Sequence, residues 1–182
     1  MTDTRYVALL RGINLGPRNR IAMADLRTAV ASAGFDDVAT HIQTGNVLVT
    51  SAPNRAAAVE AAIKDAIRTE LGLEIEVIVR TAVQLRRIVK GNPFLAKGAD
   101  LPTMYVGFLK ARPTAVNARK LEDTDFGDDE LALKGAEVYL RFGHGFGRSK
   151  LGGPILERTL GVPLTVRNWN VVSALVDLAT QR

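Results

Sequence analysis

Residues 37–51 read DVATHIQTGNVLVTS, and the reading of this stretch decides the fold. Two runs rich in β-branched residues flank a short break at Thr44-Gly45-Asn46, the pattern of two strands joined by a tight turn. On its N-terminal side, RYVALLRG (5–12) holds a continuous apolar run and predicts a buried strand, and MADLRTAVASAG (23–34) predicts a helix stopped by Gly34. On its C-terminal side, NRAAAVEAAIKDAIRTELG (54–72) places Val59, Ile63, Ile67 and Leu71 on one helical face, with Gly72 closing the helix. EIEVIVR (74–80) then alternates as a strand, Ile75, Val77 and Val79 against Glu74, Glu76 and Ile78. The hairpin therefore sits in the middle of a β-α-β-β-α-β order, a ferredoxin-like unit.

The same order returns downstream. TAVQLRRIVKG (81–91) predicts a helix capped by Thr81 and stopped by Gly91, and NPFLAKGADLP reads as a connector. TMYVGFLK predicts a strand, PTAVNARKLE a helix with Pro113 in its first turn, and DELALKGAEVYLRF a hairpin around Lys134-Gly135. SKLGGPILERTLG is helical in part, VPLTVR is a strand, and NWNVVSALVDLATQR is a terminal helix begun by Asn168. The expected fold class is α+β: two ferredoxin-like βαββαβ halves in tandem with mostly antiparallel sheets. The halves span 1–80 and 103–182, the latter with the terminal helix, and 81–102 forms a helical linker. The repeat is one of element order, without residue-level self-similarity.

Composition narrows the function classes. Hydrophobic residues at 47% and charged residues at 24% of 182 are those of an ordinary globular chain. No apolar run reaches about 18 residues. With no cysteine, disulfides, thiolate chemistry and iron–sulfur clusters are excluded. These features predict a cytoplasmic protein without a membrane partner. A net charge of +5 and a pI near 9.8 favour polyanionic partners, although the positive charge is spread along the chain. Aromatics at 5% speak against a base-stacking surface.

Three loops gather donors at strand ends. RGINLG (11–16) follows the first strand; glycines at 12 and 16 let the backbone approach a ligand, while Arg11 and Asn14 can donate. Neither a Walker A loop nor a dinucleotide fingerprint fits it. FGHGFGRSKLGG (142–153) alternates glycines and then places Arg148, Ser149 and Lys150 before a helix, an arrangement suited to an anion-binding nest. RNWN (167–170) offers Arg167 and Asn170 beyond the cap at Asn168, while Trp169 reads as a core anchor. Asn46 reads as a turn residue tolerating positive φ. The acidic stretch EDTDFGDDE (122–130) resembles a calcium loop, but Gly127 sits one place early, so a solvated loop is expected. His41 reads as a packed or edge residue, and His144 as a weak acid–base candidate. No GxSxG or SxxK motif supplies an activated nucleophile, and no reaction or cofactor can be named.

The motifs RGINLG, MADLR, IQTGNV, NPF, GRSKL, LER, LG and RNWN stand in the order of an uncharacterised bacterial family, domain of unknown function 1697, which the chain resembles from Tyr6 to about Leu175. The resemblance implies a cytoplasmic α+β protein without an established activity. Its typical polar positions fall on Arg11, Gly12, Asn14, Gly45, Asn46, Ser149, Lys150, Arg167, Asn168 and Asn170. Thr44 stands where serine is typical, and Gly152-Gly153-Pro154 replaces polar helix formers, which places Pro154 in the first turn and leaves Ser149-Lys150 extended.

The expectation is a small anionic ligand, bearing phosphate, nucleotide or carboxylate, at a composite of these loops. Arg11 and Arg167 would clamp it, Asn14, Asn46 and Asn170 would orient it, and Lys150 would close over it. A nucleic-acid-binding module ranks second, since the strands offer Tyr6 alone as an aromatic, and an oligomeric scaffold third.

Overall fold

The computed structural model describes residues 3–181. They contain β1 (Thr4–Leu10), α1 (Met23–Ser32), β2 (Asp36–His41), β3 (Asn46–Ser51), α2 (Ala56–Leu71), β4 (Val77–Thr81) and α3 (Ala82–Lys90). There follow β5 (Met104–Leu109), α4 (Ala115–Glu122), β6 (Glu130–Lys134), β7 (Glu137–Arg141), α5 (Gly153–Leu160), β8 (Leu164–Asn168) and α6 (Trp169–Thr180). The strands form two four-stranded antiparallel sheets, β2-β3-β1-β4 and β6-β7-β5-β8. In the first, β3 lies between β1 and β2, so the β1-α1-β2 connection is a split crossover closed by a hairpin. The second sheet repeats the order, and the α+β architecture is the one the element pattern predicts. The chain divides into two compact units: one runs to Arg86 and takes in the segment from Leu175 onward, the other is Arg87–Ala174.

Each sheet packs helices on one face by alternation. Tyr6, Ala8 and Leu10 of β1, Val47 and Val49 of β3, and Val77 and Val79 of β4 pack with Leu26 and Val30 of α1 and Val59, Ile63 and Ile67 of α2. Fully burying each such aliphatic side chain stabilises by about 1.5–3 kcal/mol. The opposite face is also covered, since Val7, Leu9, Leu48 and Ile78 are buried as well. In the second unit, Leu109, Val138 and Leu140 pack with Leu121, Leu156 and Leu160, while Met104, Val106 and Phe108 are buried on the other side. Neither central strand offers an open face on which bases could stack.

Local signals account for most element ends. Thr81 and Gln84 cap each other reciprocally, Gln84 N–H donating to Thr81 Oγ1 and Thr81 N–H to Gln84 Oε1. Asn168 Oδ1 accepts from Val171 N–H at 2.9 Å, and Gly72 and Gly161 close α2 and α5 in the left-handed conformation. Pro154 does occupy the first turn of α5, with Ser149 extended before it. Three expectations shift. Pro113 lies outside α4, because Thr114 takes the cap and accepts from Asn117 N–H. The strand expected from Glu74 starts at Val77, although Ile75 is still buried in the core. Asn46 is no turn residue: it opens β3 fully buried, paired with Leu9 and His41, and positive φ falls on Ile42 and Gly45 instead.

Tyr139 makes a pH test of the second unit. Its buried hydroxyl donates to the Ile88 carbonyl at 3.0 Å, and burial, with Glu137 adding to it, raises its pKa to about 12. The unfolded tyrosine ionises near 10. The protonated form is thus favoured by folding, and its contribution is complete below about pH 10 and lost as pH rises towards 12. Denaturant unfolding of wild type and Tyr139→Phe across this window should show the wild-type advantage of about 1 kcal/mol at neutral pH vanish or reverse above pH 10. A difference independent of pH would contradict the assignment.

Candidate functional site

Beyond Leu10 the chain leaves the sheet and reaches α1 through an irregular loop. Leu10 N–H donates to Gly45 O at 2.8 Å and Arg11 N–H to Glu76 O at 2.9 Å, so the loop's first residues are tied to two neighbouring segments. Asn14, at φ +54°, then closes the loop with its side chain. Its Nδ2 donates to Ile21 O (2.9 Å) and to Gln43 O (2.8 Å), and its Oδ1 accepts from Ile21 N–H (2.9 Å). Its own N–H donates to Asn19 O at 3.1 Å. Asparagine tolerates this backbone region and carries a side chain that imitates a peptide unit, which explains the residue type.

The 42–45 turn packs against the same loop. A Cβ on Gly45, at φ +80°, would stand 2.7 Å from Ile13 Cδ1 and 2.8 Å from Leu10 Cβ. Only glycine allows this approach. Asn46 beside it donates to His41 O at 2.9 Å. Ile42 holds φ +51°, a costly conformation for a β-branched residue. RGINLG and TGN are therefore brought together, with Gly45, Asn14 and Asn46 as their frame.

In front of this frame lies a depression of about 310 Å³ lined by Asn14, Arg20, Ile21, Ala22 and Gln43. Ala22 is the cap residue of α1 and provides no side-chain bond to the helix start. Arg18 and Arg20 are exposed, and neither side chain has a partner among the described residues. Asp25 is the acid of the first turn. Arg11 and Gly12 are exposed at the loop's start. Arg20, Ala22 and Gln43 escaped the sequence reading. The available signal was negative: IAMADLR lacks a Ser, Thr, Asp or Asn where a cap belongs.

In the second unit the glycine-rich loop meets the acidic one. Asp129 Oδ1 accepts from Gly143 N–H at 2.9 Å and Oδ2 from the Ser149 hydroxyl at 2.5 Å. Ser149 Oγ in turn accepts from Leu151 N–H at 2.8 Å. His144 Nε2 lies 2.8 Å from Asp128 Oδ2, and Asp125 Oδ1 accepts from Gly127 N–H. Gly143 is another forced glycine, since its Cβ would lie 2.7 Å from that of Asp128. The loops enclose a cleft of about 280 Å³ lined by Asp125, Asp128, Asp129, His144, Arg148 and Lys150 among others. Ser149 and Asn168 are thus engaged in local bonds. Arg167 is buried, donates to Thr165 Oγ1 (2.7 Å) and Val166 O (3.0 Å), and burial lowers its pKa to about 10. Lys150 and Asn170 stay exposed.

The Gly45 contact can be tested directly. Gly45→Ala should destabilise by roughly 2–5 kcal/mol, combining about 1–2 for the left-handed backbone with about 1–3 for overpacking. Urea unfolding measures it, and a loss below about 0.5 kcal/mol would show that the turn does not press on Leu10 and Ile13.

Among solved structures, the conserved bacterial protein SP0830 from Streptococcus pneumoniae is similar in fold, with a TM-score of 0.77 at 20% identity over 98% of this chain and 100% of that one. No curated protein matches by sequence. A model of proteins of unknown function, DUF1697, matches residues 3–139. That span includes RGINLG, MADLR, IQTGNV and NPF and ends within β7, ahead of GRSKL, LER and RNWN. With three quarters of its length matched, the chain belongs to the DUF1697 family of proteins of unknown function.

Proposed function

We propose that the protein binds a small anionic ligand, one bearing phosphate, a nucleotide or a carboxylate, in the depression before α1. The observation that carries this reading is the bare start of α1 beside Arg20. The first N–H groups of a helix have no partner within it, and the aligned peptide dipoles add about half a positive charge there. A helix start usually has these groups answered by a cap, and Ala22 leaves them to an external acceptor. Arg20 and Gln43 border the same depression, so a charged donor and a neutral amide are within reach of an occupant. Arg11 and Arg18 place further positive residues along the loop, and Asp25 is the acid of the first helical turn. In this reading Asn14, Gly45 and Asn46 hold the loop, since their amides and backbone serve the frame, and Asn14 also borders the occupant. A rigid frame lowers the ordering cost of binding.

Thermal unfolding against inorganic phosphate, pyrophosphate, nucleotides and dicarboxylates tests the proposal. A ligand at about 100 times its dissociation constant stabilises by roughly 2.7 kcal/mol, a rise of about 5–10 °C for a chain of this size. Arg20→Ala, at an exposed side chain without a partner, should keep the unliganded midpoint and weaken binding roughly tenfold. Arg11→Ala should weaken it less. If no anion raises the midpoint, or both variants bind as wild type does, the site is elsewhere or absent.

A further inference from the structure

We infer that the glycine-rich loop of the second unit carries a nucleotide-binding site, distinct from the depression before α1, in which Phe146 stacks on a nucleobase while Arg148 and Lys150 receive its phosphate. The chain has few aromatic residues, yet three of them are gathered here. Phe146 begins a single 3-10 turn, Phe146–Arg148, and lies stacked on Tyr105 with centroids 5.1 Å apart and planes 19° apart. Phe142 braces the pair edge-on, at 74° to Tyr105 and 80° to Phe146. Phe142 is buried and Tyr105 partly so, while Phe146 remains 44% exposed. Among the described large apolar side chains left exposed it is the one aromatic. An exposed ring held in a fixed plane by two others suits a base, whose stacking needs a flat, oriented surface and little sequence-specific hydrogen bonding.

The surroundings supply the rest of a nucleotide's chemistry. Arg148 and Lys150 lie two and four residues further on, exposed and with side chains lacking any partner among the described residues. Gly145 and Gly147 have open space where a Cβ would stand, so a ligand can approach the loop backbone closely there. Three carboxylates line the same cleft, and two of them are engaged by neighbours. Asp129 is held by Gly143 N–H and the Ser149 hydroxyl, and Asp128 by His144. Asp125 and Asp128 line the cleft with Arg148 and Lys150, and as acceptors they suit the N–H edge of a purine such as guanine better than a second phosphate. Arg148 and Lys150 thus offer this cleft donors for phosphate and Asp125 and Asp128 acceptors for a base edge, and Phe146 directly follows the lining residue Gly145.

A free mononucleotide and a single nucleic-acid strand share this chemistry, and calorimetry on the full chain separates them. The probes are guanosine monophosphate, guanosine, inorganic phosphate and a short single strand of mixed sequence. Guanosine monophosphate should bind, with guanosine and phosphate each weaker. Phe146→Ala should weaken the nucleotide roughly tenfold, with Phe146→Trp restoring it. Arg148→Ala with Lys150→Ala should weaken the nucleotide and leave guanosine unchanged. A strand binding tighter than the mononucleotide assigns a nucleic acid, the reverse order a free nucleotide, and both uphold the stacking site. Circular dichroism checks that Phe146→Ala folds; if it does not, Phe146→Trp and the double variant decide. The inference is overturned if no nucleotide or strand binds, or if phosphate binds as well as the nucleotide. It is equally overturned if nucleotide binding ignores both Phe146→Ala and the double variant but falls with Arg20→Ala, which would place the nucleotide before α1.

Discussion

The carboxamide of Asn14 is the interaction on which the 11–22 loop depends. It bonds Ile21 through both its carbonyl and its N–H, and Gln43 through a further donor. A loop of this length has no ladder of its own, and its backbone groups must find partners or water. One side chain here takes the place of a strand edge. It joins the entry to α1 and the 42–45 turn to a single residue, and Gly45 completes the arrangement by letting the turn close onto Leu10 and Ile13. Asn14 also lines the depression before α1, beside Ala22, whose side chain gives the helix start no cap.

The fold was legible in sequence because its signals are local and repeated. Runs of β-branched residues in 46–51 and 77–79, helical spacing from Val59 to Ile67, and glycines 72 and 161 each act within a few residues, and tertiary structure obeyed them. The candidate site was less legible because residue type does not say which partner a polar group will find. Asn46 looked like a turn asparagine, yet its burial follows from pairing with Leu9, far along the chain. Arg167 looked like a clamp at a strand end, but Thr165 and Val166 O engage it inside the sheet. Ser149 looked like part of an anion nest, and Asp129, 20 residues away, takes its hydroxyl. In each case residue type announced a hydrogen-bonding role while leaving the partner open.

A correspondence between the halves emerges only with coordinates. β4 ends in Arg80-Thr81 and β8 in Arg167-Asn168, each arginine buried and followed by a residue that caps the next helix. Each guanidinium donates to the carbonyl of the residue before it, Val79 and Val166, at 3.0 Å. The repeat of element order therefore extends to one junction at residue level, too short for sequence comparison to single out. Both strand-end arginines are buried within the sheets.

The central claim is that the open start of α1 receives an anion. A titration of the 15N-labelled protein with pyrophosphate, followed by amide NMR, tests it most directly. The account predicts saturable shifts greatest at the amides of Met23, Ala24 and Asp25, with smaller ones at Arg20 and Gln43, and none of comparable size in the β-strands. Amides at the start of α1 that stay still while others shift, or shifts that never saturate, would contradict it.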